Sequence, residues 1–123
     1  MESKKKFSWR ARGRAFHYAF AGIAAMFRTE HNAWIHAVVA LLVIAAAIVL
    51  RLSGIEWCLI SLCIGGVFMA EAFNTAIEAL CDKVSTEYSP FIKKAKDVAA
   101  GAVLLFVFAA VAVGLIIFIP KIF

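Results

Sequence analysis

Three long stretches almost free of charge constrain this chain more than any other feature. From His31 to Leu50 there are 20 residues with no Asp, Glu, Lys or Arg. From Trp57 to Cys81 there are 25 residues, interrupted only by Glu71 and Glu78. From Val98 to Ile119 there are 22 uncharged residues, closed by Pro120 and Lys121. At roughly 1.5 Å of rise per residue, each stretch can cross a hydrocarbon layer about 30 Å thick. Composition agrees: the chain has 123 residues and is 64% hydrophobic, and a soluble domain this small leaves too much surface in water to hide that much apolar material. A disordered chain is excluded on the same grounds. Three cysteines with no C-x-x-C pair exclude a disulfide scaffold.

The expected fold is therefore all-α and membrane-embedded, one domain over residues 1–123. Its spans are expected at about 31–51, 55–82 and 96–119, behind a surface helix at about 8–28. Basic residues set the orientation. Seven of the 13 Lys/Arg fall in the first 28 residues (Lys4, Lys5, Lys6, Arg10, Arg12, Arg14, Arg28) and four more at Lys83, Lys93, Lys94 and Lys96. Only Arg51 and Lys121 remain. The positive-inside rule then puts the N-terminus and the 82–97 loop in the cytoplasm, with the 51–56 turn and the C-terminus outside. Because the basic clusters flank apolar spans, they read as topology signals and contacts to anionic headgroups, and nucleic acid is set aside.

The segment before residue 30 lacks the apolar run of a cleavable signal. Phe16, Phe20, Ile23 and Phe27 instead follow helical spacing behind a basic stretch, the pattern of an amphipathic helix on the cytoplasmic surface. Small residues recur on the spans (Ala45 to Ala47, Gly65-Gly66, Ala99 to Ala102, Ala109-Ala110), where they permit close packing within or between chains.

Acidic groups in a bilayer cost roughly 2.5–3.5 kcal/mol each on insertion scales, so Glu71 and Glu78 need a reason. With Asn74 and Asp82 they fall on one helical stripe about 80° wide and about 16 Å long. Carboxylate oxygens on one face suit a hard divalent cation such as Mg²⁺ and a proton acceptor. Glu30, just before the first span, stands at the same level. Glu56 reads as a charge favoured by a helix N-terminus. Lys96-Asp97 reads as a charged helix start or as a phosphate-binding Lys beside a carboxylate. His17, His31 and His36 lack the spacing of a metal set, and Cys58, Cys63 and Cys81 read as apolar helix residues. No P-loop, kinase Gly-rich loop or G-x-S-x-G is present. On these features alone a small ion or proton channel, or an inert membrane anchor, stays open beside an enzyme.

Two motifs narrow the choice. Glu71-Ala-Phe-Asn-Thr-Ala-Ile-Glu78-Ala-Leu-Cys-Asp82 resembles the E-x-x-N-[ST]-A-I-E-x-x-x-D signature of the prokaryotic diacylglycerol kinase family. Lys96-Asp97-Val-Ala-Ala-Gly-Ala-Val103 resembles its A-K-D-x-x-x-x-A-V motif. The resemblance runs from about residue 14 to 119. It implies a homotrimer of three-span subunits with active sites shared between neighbours, phosphorylating the hydroxyl of diacylglycerol or undecaprenol with Mg-ATP. It implies that Glu71 is the general base and that Glu30 and Glu78 hold Mg²⁺ on the ATP phosphates. It implies that Tyr18, Glu87, Tyr88, Lys96 and Asp97 lie at the nucleotide, and that Arg14, Ala24, Ala25, Asn74 and Ala100 lie at the lipid. The Glu30-His-Asn-x-x-Ile-His36 run is closer to the undecaprenol branch, as is the Ser89-Pro90-x-x-Lys93-Lys94 loop. Ala100 stands where some diacylglycerol enzymes carry Ser.

Overall fold

The computed structural model describes residues 6–123, so Lys4 and Lys5 of the basic N-terminal cluster lie outside the described residues. Four helices follow in order: α1 Trp9–Thr29, α2 His31–Val49, α3 Gly54–Val84 and α4 Pro90–Ile122. There is no strand among the described residues. Three of the helices, α2, α3 and α4, are long and apolar enough to cross a membrane.

Local chemistry sets each boundary. Ser8 caps α1 by accepting the Ala11 N–H at 3.3 Å. Glu30 is extended (φ −115°, ψ 113°), which ends α1 and lets α2 restart at once. The α2 terminus is a Schellman motif. Leu52 N–H bonds to the Ala47 carbonyl at 3.2 Å and Arg51 N–H to the Ile48 carbonyl at 3.3 Å. Arg51 takes the left-handed residue with φ 56°, a place more often held by glycine, while Gly54 is left to start α3. Ser53 and Glu56 form a reciprocal capping box on α3. Glu56 also reaches Lys121 Nζ at 3.0 Å, tying the start of α3 to the end of α4.

Two boundaries depart from the sequence reading. The helix that carries the third span begins at Pro90, ahead of the span expected from about residue 96, because a proline with fixed φ is suited to the first helical turn and Ser89 before it is extended. The segment between helices thus shrinks to residues 85–89, and Lys93, Lys94, Lys96 and Asp97 lie on α4. Nor does Pro120 close the helix, which runs on to Ile122.

α3 is the centre of the bundle and packs along α4 for most of its length. Gly66 makes that possible: a Cβ there would sit inside the Phe106 ring. The apolar core gathers at one end, where Ala47, Leu52, Ile60 and Ile117 are buried with Val43, Trp57 and Val113 against them. At the other end α1 is pinned by Trp34 Nε1, which donates to the Phe27 carbonyl at 2.7 Å, and by the Phe27 ring, which meets Trp34 edge-on and lies tilted against Phe68. Phe16 and Phe20 stay exposed. At about 28 Å, α2 matches a hydrocarbon core, whereas α3 and α4 run roughly 46–50 Å. The extra length of the α3–α4 pair carries its polar residues beyond the apolar slab.

Candidate active site

α3 supplies the polar stripe. Glu71 lies 17 residues from the start of α3, about 26 Å along its axis and still within hydrocarbon depth. It is 1% exposed. Neither of its carboxylate oxygens has a hydrogen-bond partner among the described residues. His36 Nε2 on α2 stands 3.3 Å from Glu71 Oε2, close enough for an ion pair though not aligned as a hydrogen bond. One turn on, Asn74 is buried, and its Nδ2 donates to Glu78 Oε1 at 3.2 Å. Glu71, Asn74, His36 and Asn32 line a cavity of about 280 Å³ walled on the α4 side by Ala100, Val103, Leu104 and Val107. Buried, unbonded carboxylate oxygens beside an open cavity are costly unless something from outside uses them.

Glu78 meets Glu30 at the junction of α1 and α2. Hydrogen bonding with the Glu78 carboxyl first, then burial, then the charges of Glu78 and Glu71, push the Glu30 carboxyl up to about 7. Two facing carboxylates are what a small hard cation would hold apart. Among the described residues, no group of three or more His, Cys, Asp or Glu side chains converges on a metal position. Two carboxylates still fit Mg²⁺, which usually takes one or two from the protein and the rest from phosphates and water.

Asp82 does not join this pair, contrary to the four-residue stripe read from spacing. Its carboxylate accepts from Lys96 Nζ at 2.6 Å, because α4 starts early enough to bring that lysine across. Asp97 is likewise engaged by Lys93 at 2.6 Å, one turn earlier. These residues line a second, open cleft of about 630 Å³ together with Glu87 and Tyr88. The structure therefore brings Glu87, Tyr88, Lys96 and Asp97 together at the end of the α3–α4 pair, and Glu71, Asn74 and Ala100 around the inner cavity. It does not bring in Arg14, Tyr18 or Ala24, which are exposed on α1 and line neither space, nor half-buried Ala25.

Sequence reasoning passed over His36, weighed only as a metal ligand. The available signal was its place: an ionisable residue five positions inside an otherwise uncharged span calls for a partner.

Comparison with known proteins identifies the family. The model of the family described as prokaryotic diacylglycerol kinase matches residues 17–118. An undecaprenol kinase of Bacillus subtilis (strain 168) is 44% identical over 108 residues, covering 88% of this chain and 88% of that protein. A diacylglycerol kinase of Synechocystis sp. is 41% identical over 107 residues, covering 86% of this chain but 61% of that longer protein. Since the match runs from within α1 to near the end of α4 and takes in both motifs, the chain belongs to the prokaryotic diacylglycerol kinase family.

Proposed function

We propose that this chain is a membrane lipid kinase that transfers the terminal phosphate of Mg-ATP to the hydroxyl of undecaprenol or diacylglycerol at the cytoplasmic face. The observation that carries this reading is Glu71: a buried carboxylate with free oxygens, at hydrocarbon depth, opening onto a cavity with apolar walls. Glu78 lies seven residues nearer the helix end, about 10 Å along the axis. That order suits an enzyme joining a lipid-borne hydroxyl to a water-borne phosphate donor.

Glu71 takes the proton of the lipid hydroxyl as the oxygen bonds to the terminal phosphorus and ADP departs with the broken P–O bond pair. Glu30 and Glu78 hold Mg²⁺, which supplies charge neutralisation on the phosphates when bound. Asn74 keeps Glu78 in place through its amide. Lys96 and Asp97, with Glu87 and Tyr88, form the nucleotide cleft, and Lys96 exchanges Asp82 for phosphate oxygens. Tyr18 comes to the nucleotide, and Arg14, Ala24 and Ala25 to the lipid, from the exposed face of α1 lying on the membrane. The working form is a homotrimer with sites completed between neighbours, and the largely exposed apolar faces of α2 and α4 support that assembly.

Undecaprenol is the favoured acceptor. The Glu30-His-Asn-x-x-Ile-His36 run is closer to that branch, and the undecaprenol kinase of Bacillus subtilis is similar over 88% of both chains, whereas the diacylglycerol kinase match covers 61% of that protein. The test is phosphate transfer from Mg-ATP by the purified chain in detergent, to undecaprenol and to a short-chain diacylglycerol in parallel, with Glu71→Gln as the blank. Transfer is expected to undecaprenol above diacylglycerol, and to fall at least about 10²-fold in the blank. Inactivity toward both lipids overturns the kinase reading, and ion flux without ATP turnover puts a channel in its place.

A further inference from the structure

We propose that His36 is a positioning residue for Glu71, a role that rests on the assignment of Glu71 as the base. His36 Nε2 lies 3.3 Å from Glu71 Oε2, and neither atom has another partner among the described residues. The Glu71 side chain is 1% exposed and the His36 side chain 18%, so water offers neither a ready substitute. The imidazole is itself confined. Phe68 meets it edge-on with ring centroids 6.4 Å apart, and Val39 and Val107 line the adjoining cavity. No other charged side chain lines either cavity that His36 borders.

This geometry divides the two oxygens of the base. An imidazole N–H directed at Oε2 fixes the carboxylate plane. Oε1 is then left to receive the hydroxyl proton, and His36 keeps its own proton throughout. A carboxylate free to rotate in an apolar cavity would meet the hydroxyl in the right attitude only part of the time. The contact is not yet aligned as a hydrogen bond, and such contacts commonly tighten once substrate is bound. A purely structural role, pinning α2 to α3, would show itself in stability and not in turnover.

The experiment uses the full chain in detergent, with initial rates over ATP and over whichever of undecaprenol and short-chain diacylglycerol the unaltered chain phosphorylates. His36→Leu removes the N–H and His36→Gln restores one at similar reach. The expected result is a kcat lower by about 10²-fold in His36→Leu, with the KM for ATP within about 2-fold and at least about 10-fold of the loss recovered in His36→Gln. An unchanged kcat in His36→Leu, an effect confined to KM, or equal losses in both variants overturns the inference. If thermal unfolding shows His36→Leu to be misfolded, His36→Met makes the same comparison without an N–H. An unaltered chain inert toward both lipids defeats the kinase reading and this role with it. An active chain indifferent to His36 defeats only the role.

Discussion

Glu30 couples the proposed metal pair to pH. With its carboxyl pushed up from 4.5 to about 7, the folded chain holds a proton where an unfolded chain has already lost it. The sign follows: without metal, this group favours the folded state below about pH 4.5, and the benefit is lost as pH rises through about 7. Mg²⁺ needs the ionised pair, so near pH 6 it must displace that proton. Titration calorimetry with Mg²⁺ in two buffers of different ionisation enthalpy should show about one proton released per ion near pH 6, fading to none above pH 8, with affinity rising over the same range. Glu78→Gln should abolish the release, and no release at pH 6 in the unaltered chain would refute the retained proton. That Glu71, Asn74 and Glu78 share one face of α3 was legible in the sequence, because they recur at a fixed angular period on one helix. That Asp82 leaves it for Lys96, and that Glu71 faces His36, was not. Both depend on which residues of two other helices arrive opposite, and spacing along α3 carries no information about that.

At the level of the helices, the α3–α4 contact turns on one glycine of an adjacent pair. A Cβ on Gly66 would fall inside the Phe106 ring, whereas a Cβ on Gly65 meets nothing within 4 Å. In a bilayer, helices gain little from hiding apolar surface from one another, so close van der Waals fit of this kind does much of the work of association. Gly66→Ala is expected to destabilise the chain by about 1–3 kcal/mol through overpacking. Gly65→Ala should be neutral or stabilising by up to about 1 kcal/mol, since an interior helical glycine is replaced at no steric cost. Thermal unfolding of the two variants in one detergent checks this, and equal effects would mean that Phe106 swings aside freely. The sequence marked both glycines as small and suited to close packing. It could not say which one faces α4, since consecutive residues differ by 100° around the helix and the partner's azimuth is a tertiary fact. The start of α4 shows the converse. Charge placed the span near residue 96, but a helix can extend well past the membrane edge, and Pro90 and Ser89 mark where it really begins.

The whole molecule exposes 9640 Å² of surface. A compact soluble protein of 13.4 kDa would expose only about 6,500 Å². The excess is largely apolar side chains on α2, α3 and α4, which lipid, or neighbours in the proposed trimer, would cover. Orientation then decides whether the chemistry is possible at all. The Glu30–Glu78 pair and the Lys96 cleft lie at the end of the bundle opposite the 50–53 turn, and ATP is available only in the cytoplasm. The basic residues Lys83, Lys93, Lys94 and Lys96 crowd that end, while the turn end has Arg51 and Lys121, the latter paired with Glu56. On the positive-inside rule the proposed site is expected on the side where ATP is. Cysteine labelling can check it in a background with Cys58, Cys63 and Cys81 replaced by Ala and activity first verified. Gly54→Cys sits at the turn, where an added Cβ meets nothing within 4 Å, and Thr86→Cys sits exposed in the 85–89 segment. A membrane-impermeant maleimide added to intact bacterial cells should label Gly54→Cys and should reach Thr86→Cys only once the membrane is opened. Labelling in the reverse order would turn the carboxylate pair away from ATP, and a protein with its acidic stripe facing outward could not run this transfer however well the stripe were built.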